Sequence, residues 1–140
     1  MSDGATTVTI SVRLERTPLA VRTARRTMMH LLGDGPSIAF VRDAVLLTSE
    51  LVSNALMHTT GSFEMAATYH SQPDRLRVEV SDDSSAMATM PEPPLPPSRG
   101  GGLGLRLVNE VANAWGTEAR HGGGKTVWFE MHAGDRNEQP

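Results

Sequence analysis

The protein has 140 residues, a formal net charge of −3 and no cysteine. This length suits a single domain with its own hydrophobic core. The acidic balance argues against bulk affinity for nucleic acid or for an anionic membrane surface. The lack of cysteine excludes a disulfide framework, a thiolate zinc site and a thiol nucleophile.

Nothing in the sequence resembles a membrane span or a signal peptide. No apolar run is long enough to cross a bilayer. Residues 1–4 lack the basic start and the apolar core that a signal peptide needs. We therefore expect a soluble, cytoplasmic protein that contacts neither nucleic acid nor a membrane directly.

The first predicted elements are a strand and a helix. Residues 6–14 alternate between apolar and polar side chains, which is typical of a half-buried strand. Residues 17–18 then start a helix that the glycines and proline of residues 33–36 end. The helix carries a basic cluster, which we interpret as a solvated face, with a contact surface for an acidic partner as the alternative. The cluster consists of Arg22, Arg25 and Arg26.

The chain is organised around a predicted helix over residues 37–58. Its apolar residues recur at steps of three and four, which predicts one buried stripe. Glu50, Asn54 and His58 are each four residues apart, so they stack on one face beside that stripe. A carboxylate can act as a general base, and an amide oxygen can ligate Mg²⁺. The alternative interpretation is a solvated polar face without chemistry.

Strands and turns dominate the next part of the chain. Residues 63–70 and 75–82 are predicted to form an antiparallel hairpin. The proline-rich residues 84–99 predict a long loop, which is either a lid over a site or a disordered segment. A glycine-rich turn then leads into a helix from Leu105 to Gly116.

The last predicted elements are the strands 117–121 and 125–132, which form a second hairpin, and residues 1–5 and 133–140 are expected to be frayed tails. The element order is therefore β-α-α-β-β-loop-α-β-β. This order predicts one α+β domain over residues 1–140. We expect a two-layer sandwich in which helices cover one face of a mixed, mostly antiparallel sheet.

Two further features have the chemistry of a nucleotide site. Glycines 100–104 precede a helix, where the backbone can approach a phosphate and the helix N-terminus adds partial positive charge. They lack the Lys-Ser/Thr ending of a P-loop, and a flexible hinge is the alternative. Asp82 ends a strand, where a carboxylate can accept a hydrogen bond from an exocyclic amine, although a turn aspartate is common there.

In this combination and order, the residues resemble the GHKL ATP-binding fold. That superfamily includes gyrase, the heat-shock chaperone, sensor histidine kinases and the mismatch-repair ATPase. The resemblance covers residues 6–132, and the short single-domain form is similar to the anti-sigma-factor serine kinases of bacteria. It implies ATP and Mg²⁺ as cofactors, a sigma factor and an anti-sigma antagonist as protein partners, and it allows a homodimer.

The resemblance also implies roles for individual residues. The run from Glu50 to Ala55 resembles the family's N-box, in which Asn54 holds Mg²⁺ and Glu50 is the catalytic base. His58 and Arg99 are expected to face the phosphates, whereas Asp82 and Thr126 are expected to lie at the adenine. The turn from the lid into the helix is expected to bind the phosphates through Gly100, Gly102, Leu103, Gly104 and Leu105.

One motif departs from the family pattern. The family's Asp-x-Gly-x-Gly reads here Asp82-Asp83-Ser84-Ser85-Ala86. Positive φ angles are costlier for serine and alanine than for glycine. We therefore expect a weakened affinity for ATP.

Three functions remain open at this point. The first is a Mg-ATP-dependent serine/threonine protein kinase that sequesters a sigma factor and regulates transcription by partner switching. The second is an ATP-gated protein-binding module without useful kinase activity. Ser84 and Ala86 favour the second, and Glu50 favours the first. A sensor histidine kinase fragment is the third, and it is disfavoured because no separate helical hairpin bears a phosphoacceptor histidine.

Overall fold

The computed structural model describes residues 4–83 and 100–133, with the backbone alone for residues 100–105. The described elements follow the predicted order. They are β1 (Thr7–Leu14), α1 (Leu19–Leu32), α2 (Ile38–His58), β2 (Phe63–His70), β3 (Arg75–Asp82), α3 (Gly100–Val111), β4 (Ala114–Ala119) and β5 (Lys125–His132). The predicted lid over residues 84–99 lies outside the described residues, together with Ser84, Ala86 and Arg99, and so do residues 1–3 and 134–140 of the predicted tails.

The five strands form one sheet in the order β1-β2-β3-β5-β4. The sheet was predicted to be mixed, but all four pairings between these strands are antiparallel. Short turns join β2 to β3 and β4 to β5, and such turns allow only antiparallel pairing. Side chains alternate between a buried and a half-exposed face along β2, β3 and β5, as expected for a sheet that is covered on one side.

Helix α2 lies at the centre of the covered face. The Ser37 hydroxyl caps its first turn by accepting a hydrogen bond from the Phe40 N–H at 3.1 Å. The helix contacts α1 on one side, α3 on the other, and β3 and β5 below. Its buried residues are Phe40, Ala44, Leu47, Thr48, Leu51, Val52, Asn54 and Ala55. Most of the predicted stripe is therefore buried, with Asn54 beside it, whereas Val41 and Val45 of the stripe are half-buried.

The predicted boundaries of the third helix were wrong at both ends. The helix begins at Gly100 instead of Leu105 and ends at Val111 instead of Gly116. Trp115 and Gly116 belong to β4, where they pair with Phe129 and Trp128. A Cβ at Gly116 would come within 2.9 Å of the Trp128 ring. Gly116 is therefore needed because an indole packs against the strand, and it does not end a helix.

Among the described residues, we found no helix both long and apolar enough to cross a membrane.

The N-terminal end of the fold is held by hydrogen bonds to the β2–β3 turn. The Thr6 N–H donates to the Ser71 hydroxyl at 3.0 Å, and the Ser71 N–H donates to the Thr6 carbonyl at 2.9 Å. The segment just before β1 is thus held against the β2–β3 turn.

Candidate functional site

The three polar residues of α2 differ in their exposure. Asn54 is 7% exposed, Glu50 is half-buried, and His58 is exposed at the last turn of the helix. Within the described part of the chain, the Asn54 carboxamide makes no hydrogen bond, yet its oxygen and nitrogen are not among the fully buried side-chain atoms that lack a partner. Its polar atoms therefore lie at the edge of the core, where they can reach solvent or a ligand.

Glu50 lines a groove of about 640 Å³ between α1 and α2. Apolar side chains such as Met29 and Leu46 form part of its wall, and Arg25 and Arg42 also line it. Burial raises the pKa of the Glu50 carboxyl above its ordinary value of 4.5, because a less hydrated carboxylate is disfavoured. Such a group stays accessible to solvent while being a better proton acceptor than a fully exposed glutamate.

Asp82, which is predicted to bind the adenine, already has a partner inside the protein. It lies at the end of β3 on the core face, and its side chain is 2% exposed. Lys125 begins β5 directly opposite in register, and its side chain is 1% exposed. Its ammonium donates to both carboxylate oxygens, at 3.1 Å to Oδ1 and 2.9 Å to Oδ2. Two fully buried opposite charges therefore meet at the position expected for adenine.

The sequence analysis assigned no role to Lys125, although the alternation of side chains in the two strands indicated that it is buried. Lys125 is two residues before Val127, and Asp82 is two residues after Val80. Because strand side chains alternate with a period of two, both charges fall on the faces that carry the core valines. A lysine at such a position is seldom buried unless it is paired. The alternation therefore indicated an internal ion pair.

Gly124 fixes the backbone beside this ion pair. Its φ angle is +93°, and a Cβ at this position would overlap the Asp82 carbonyl oxygen and lie 3.1 Å from the Asp83 Cα. Only glycine combines this φ angle with so close an approach of two chains. The start of β5 is thereby pressed against the end of β3, which places Lys125 against Asp82.

Side chains also tie the end of α2 to the end of β3. The hydroxyl of Thr59, which caps α2, donates to Asp83 Oδ1 at 3.0 Å. Arg16 Nε donates to the Thr59 carbonyl at 2.7 Å. A cleft of about 390 Å³ opens beside this tie, and its lining includes Asp83 and the cations Arg13 and Arg120. The ends of the two elements that carry Asn54 and Asp82 are therefore held together.

Thr126 is not brought to the Asp82 carboxylate. It pairs in register with Ser81, and the two hydroxyls lie 2.8 Å apart. Because adjacent strand residues point to opposite faces, Ser81 and Thr126 share the face away from Asp82 and Lys125. In this register Lys125, and not Thr126, lies beside the Asp82 carboxylate, and the contact of Thr126 with adenine stays a prediction.

For the turn that is predicted to bind the phosphates, the structure describes the backbone alone. Gly100, Gly102, Leu103, Gly104 and Leu105 form the first part of α3, and α3 packs against α2. Their side chains lie outside the described structure, as does all of Arg99. In the described residues no three acidic, histidine or cysteine side chains converge on one point as a metal cage would require. Asn54 thus remains as the predicted metal ligand.

Comparison with protein families shows which family the chain belongs to. The model of a family described as "Histidine kinase-, DNA gyrase B-, and HSP90-like ATPase" matches residues 41–135, more than half of the chain. The chain belongs to this ATPase family. The match includes Glu50, Asn54, Asp82 and Lys125. Membership implies an ATP-binding domain, as the resemblance of the N-box had indicated.

A solved structure gives the same fold. The crystal structure of the RsbU and RsbW domains of Rv1364c from Mycobacterium tuberculosis is similar to this ATPase-family chain with a TM-score of 0.65. The sequences are 21% identical, and the similarity covers 89% of this chain and 32% of the other, so this chain spans about a third of that length. At this identity the similarity shows the fold alone. No curated protein sequence matches the chain.

Proposed function

We propose that the protein is a Mg-ATP-dependent serine/threonine protein kinase of the anti-sigma-factor type. The observation that carries the proposal is the pair formed by Glu50 and Asn54, one turn apart on α2. One is a half-buried carboxylate with a raised pKa, and the other is the carboxamide of a residue that is 7% exposed, with no hydrogen bond among the described residues and polar atoms that are not fully buried. A catalytic base and a residue that holds Mg²⁺ are two of the parts on which phosphoryl transfer from Mg-ATP relies.

Mg²⁺ would enter as part of the nucleotide substrate. Magnesium sites at phosphates use one or two protein ligands, and the phosphates and water supply the rest. A single amide oxygen from Asn54 fits this pattern better than it fits a site made entirely by protein. His58, at the exposed end of α2, and the backbone of α3 are the groups proposed to face the phosphates.

Glu50 is proposed as the general base. An acceptor serine or threonine hydroxyl would enter through the groove between α1 and α2, which Glu50 lines. As the hydroxyl oxygen bonds to the γ-phosphorus, the bond to the departing ADP oxygen breaks and the hydroxyl proton passes to the carboxylate. Positioning and charge neutralisation supply most of the rate in such transfers, and the base supplies the remainder.

The partners proposed are an anti-sigma antagonist as phosphate acceptor and a sigma factor as the regulated protein. The short GHKL chain resembles bacterial anti-sigma-factor kinases, and its fold is similar to that of a structure containing an RsbW domain.

The second candidate function is an ATP-gated binding module without kinase activity. The ion pair between Asp82 and Lys125 weighs equally on both candidates, because both need ATP. Ser84 and Ala86, which replace two glycines of the family motif, favour the second.

Transfer of labelled phosphate tests the proposal. The purified protein is incubated with γ-labelled ATP, MgCl₂ and candidate antagonist proteins, and labelled residues are located by mass spectrometry. We expect label on a serine or threonine of one antagonist, and none when EDTA replaces Mg²⁺. Tighter binding of a sigma factor with ATP but no transfer to any antagonist would establish the binding module instead.

Asn54→Ala is expected to leave a folded protein with Mg-ATP affinity lowered about tenfold or more, because it removes the one amide oxygen available to the metal. Isothermal titration calorimetry measures the affinity with and without Mg²⁺. Ser53→Ala is the matched control, since Ser53 is the half-buried neighbour on the same turn. Equal affinities of the two variants would remove Asn54 from the metal site.

A further inference from the structure

We infer that Lys125 competes with the nucleotide base for the Asp82 carboxylate and thereby sets the affinity for 6-aminopurine nucleotides. The inference rests on the proposed function, since it concerns the same nucleotide site. It assigns a role in specificity to Lys125, whereas family resemblance suggested only Asp82 and Thr126 for the base.

The ion pair leaves the carboxylate closed to a ligand. Both oxygens of Asp82 accept N–H bonds from the same ammonium, and the two side chains are 2% and 1% exposed. An exocyclic amine of a base therefore finds no accessible oxygen while this pair is intact. The amine is also neutral, so it cannot replace the charge that Lys125 contributes to a buried carboxylate.

Base binding therefore requires the ammonium to move. The backbone at this point cannot move easily, because Gly124 lies directly against the Asp82 carbonyl with a φ angle of +93°. The four-carbon stem of lysine has several rotatable bonds and is free of this constraint. The movable part of the site is thus the Lys125 side chain, with Asp82 held in place by the sheet.

This arrangement defines two states of one site. In the closed state Lys125 neutralises Asp82, and in the open state the carboxylate is available to an exocyclic amine. A ligand that binds the open state alone has its apparent affinity reduced by the fraction of protein that is open. Removing the competing ammonium should therefore tighten binding, a result that a purely structural lysine would not give.

Calorimetry with a non-hydrolysable ATP analogue and Mg²⁺ tests this inference on the wild type, Lys125→Thr and Lys125→Arg. We expect Lys125→Thr to bind about tenfold or more tightly than the wild type, because the ammonium no longer competes for the carboxylate. Lys125→Arg keeps the charge and is expected to show no gain. The corresponding inosine nucleotide, which has a 6-oxo group in place of the amine, is expected to show no gain with Lys125→Thr.

Circular dichroism and thermal melts establish whether each variant is folded. If Lys125→Thr does not fold, Lys125→Met replaces it, since its side chain fills a similar volume without a charge or a hydrogen-bond donor. Wild-type binding that is equal to or tighter than that of the neutral variants would overturn the inference and leave the proposed function intact. Absence of nucleotide binding by every folded form would overturn both.

Discussion

Glu50→Ala is expected to keep its affinity for Mg-ATP within a few-fold and to lose phosphoryl transfer by about 10²-fold or more. Glu50 lines the groove between α1 and α2, whereas Asp82 lines a different cleft at the end of β3, and the proposed metal ligand is Asn54, so we expect binding not to depend on Glu50. Single-turnover transfer to the antagonist and calorimetric binding are measured on the same preparation. Transfer at the wild-type rate would remove Glu50 as the base while leaving the kinase assignment standing.

Glu50→Gln gives the matching test of pH dependence. A base must be ionised, so wild-type transfer should fall as the pH drops through the raised pKa of Glu50, above its ordinary 4.5. The same raised pKa affects stability. The folded protein favours the protonated carboxyl of Glu50, and this adds to the free energy of unfolding below pH 4.5. The contribution is lost as the pH rises through the pKa of the folded state.

Replacing Glu50 with glutamine removes this loss, because glutamine does not ionise. Glu50→Gln is therefore expected to be more stable than the wild type at neutral pH, with the difference closing in acid, although transfer is lost. Chemical denaturation at pH 4 and pH 7 measures the two free energies of unfolding. A variant that is less stable than the wild type at neutral pH would contradict the burial of the carboxylate.

Gly124→Ala is expected to lower the free energy of unfolding by about 2–5 kcal/mol, which combines a positive-φ penalty with overlap against the backbone. The added Cβ would overlap the Asp82 carbonyl oxygen and separate the strand ends that hold the buried ion pair. Urea denaturation followed by circular dichroism measures the change.

Gly123→Ala is the matched control for this effect. Gly123 has a φ angle of +111°, but an added Cβ there meets no atom within 4 Å. We expect this variant to show the φ penalty alone, about 1–2 kcal/mol. Equal losses of stability in Gly123→Ala and Gly124→Ala would mean that contact with Asp82 contributes nothing.

Local patterns were sufficient for most elements of the fold. Alternation located β2 and β5, and the spacing of apolar residues located α2, because these signals depend on neighbours within one or two turns. The same reasoning failed at Trp115 and Gly116. A tryptophan followed by a glycine is compatible with the end of a helix, and only the packing of Trp128 against Gly116 across two strands decides for β4.

The candidate site shows the same division. The sequence by itself determined that Glu50 and Asn54 stack on one helix face, since four-residue spacing fixes that geometry wherever the helix lies. It also placed Asp82 at a strand end. Only the tertiary structure decided that Lys125 lies opposite Asp82 and that Thr126 faces away, because the register between β3 and β5 depends on a pairing 43 residues apart in the chain.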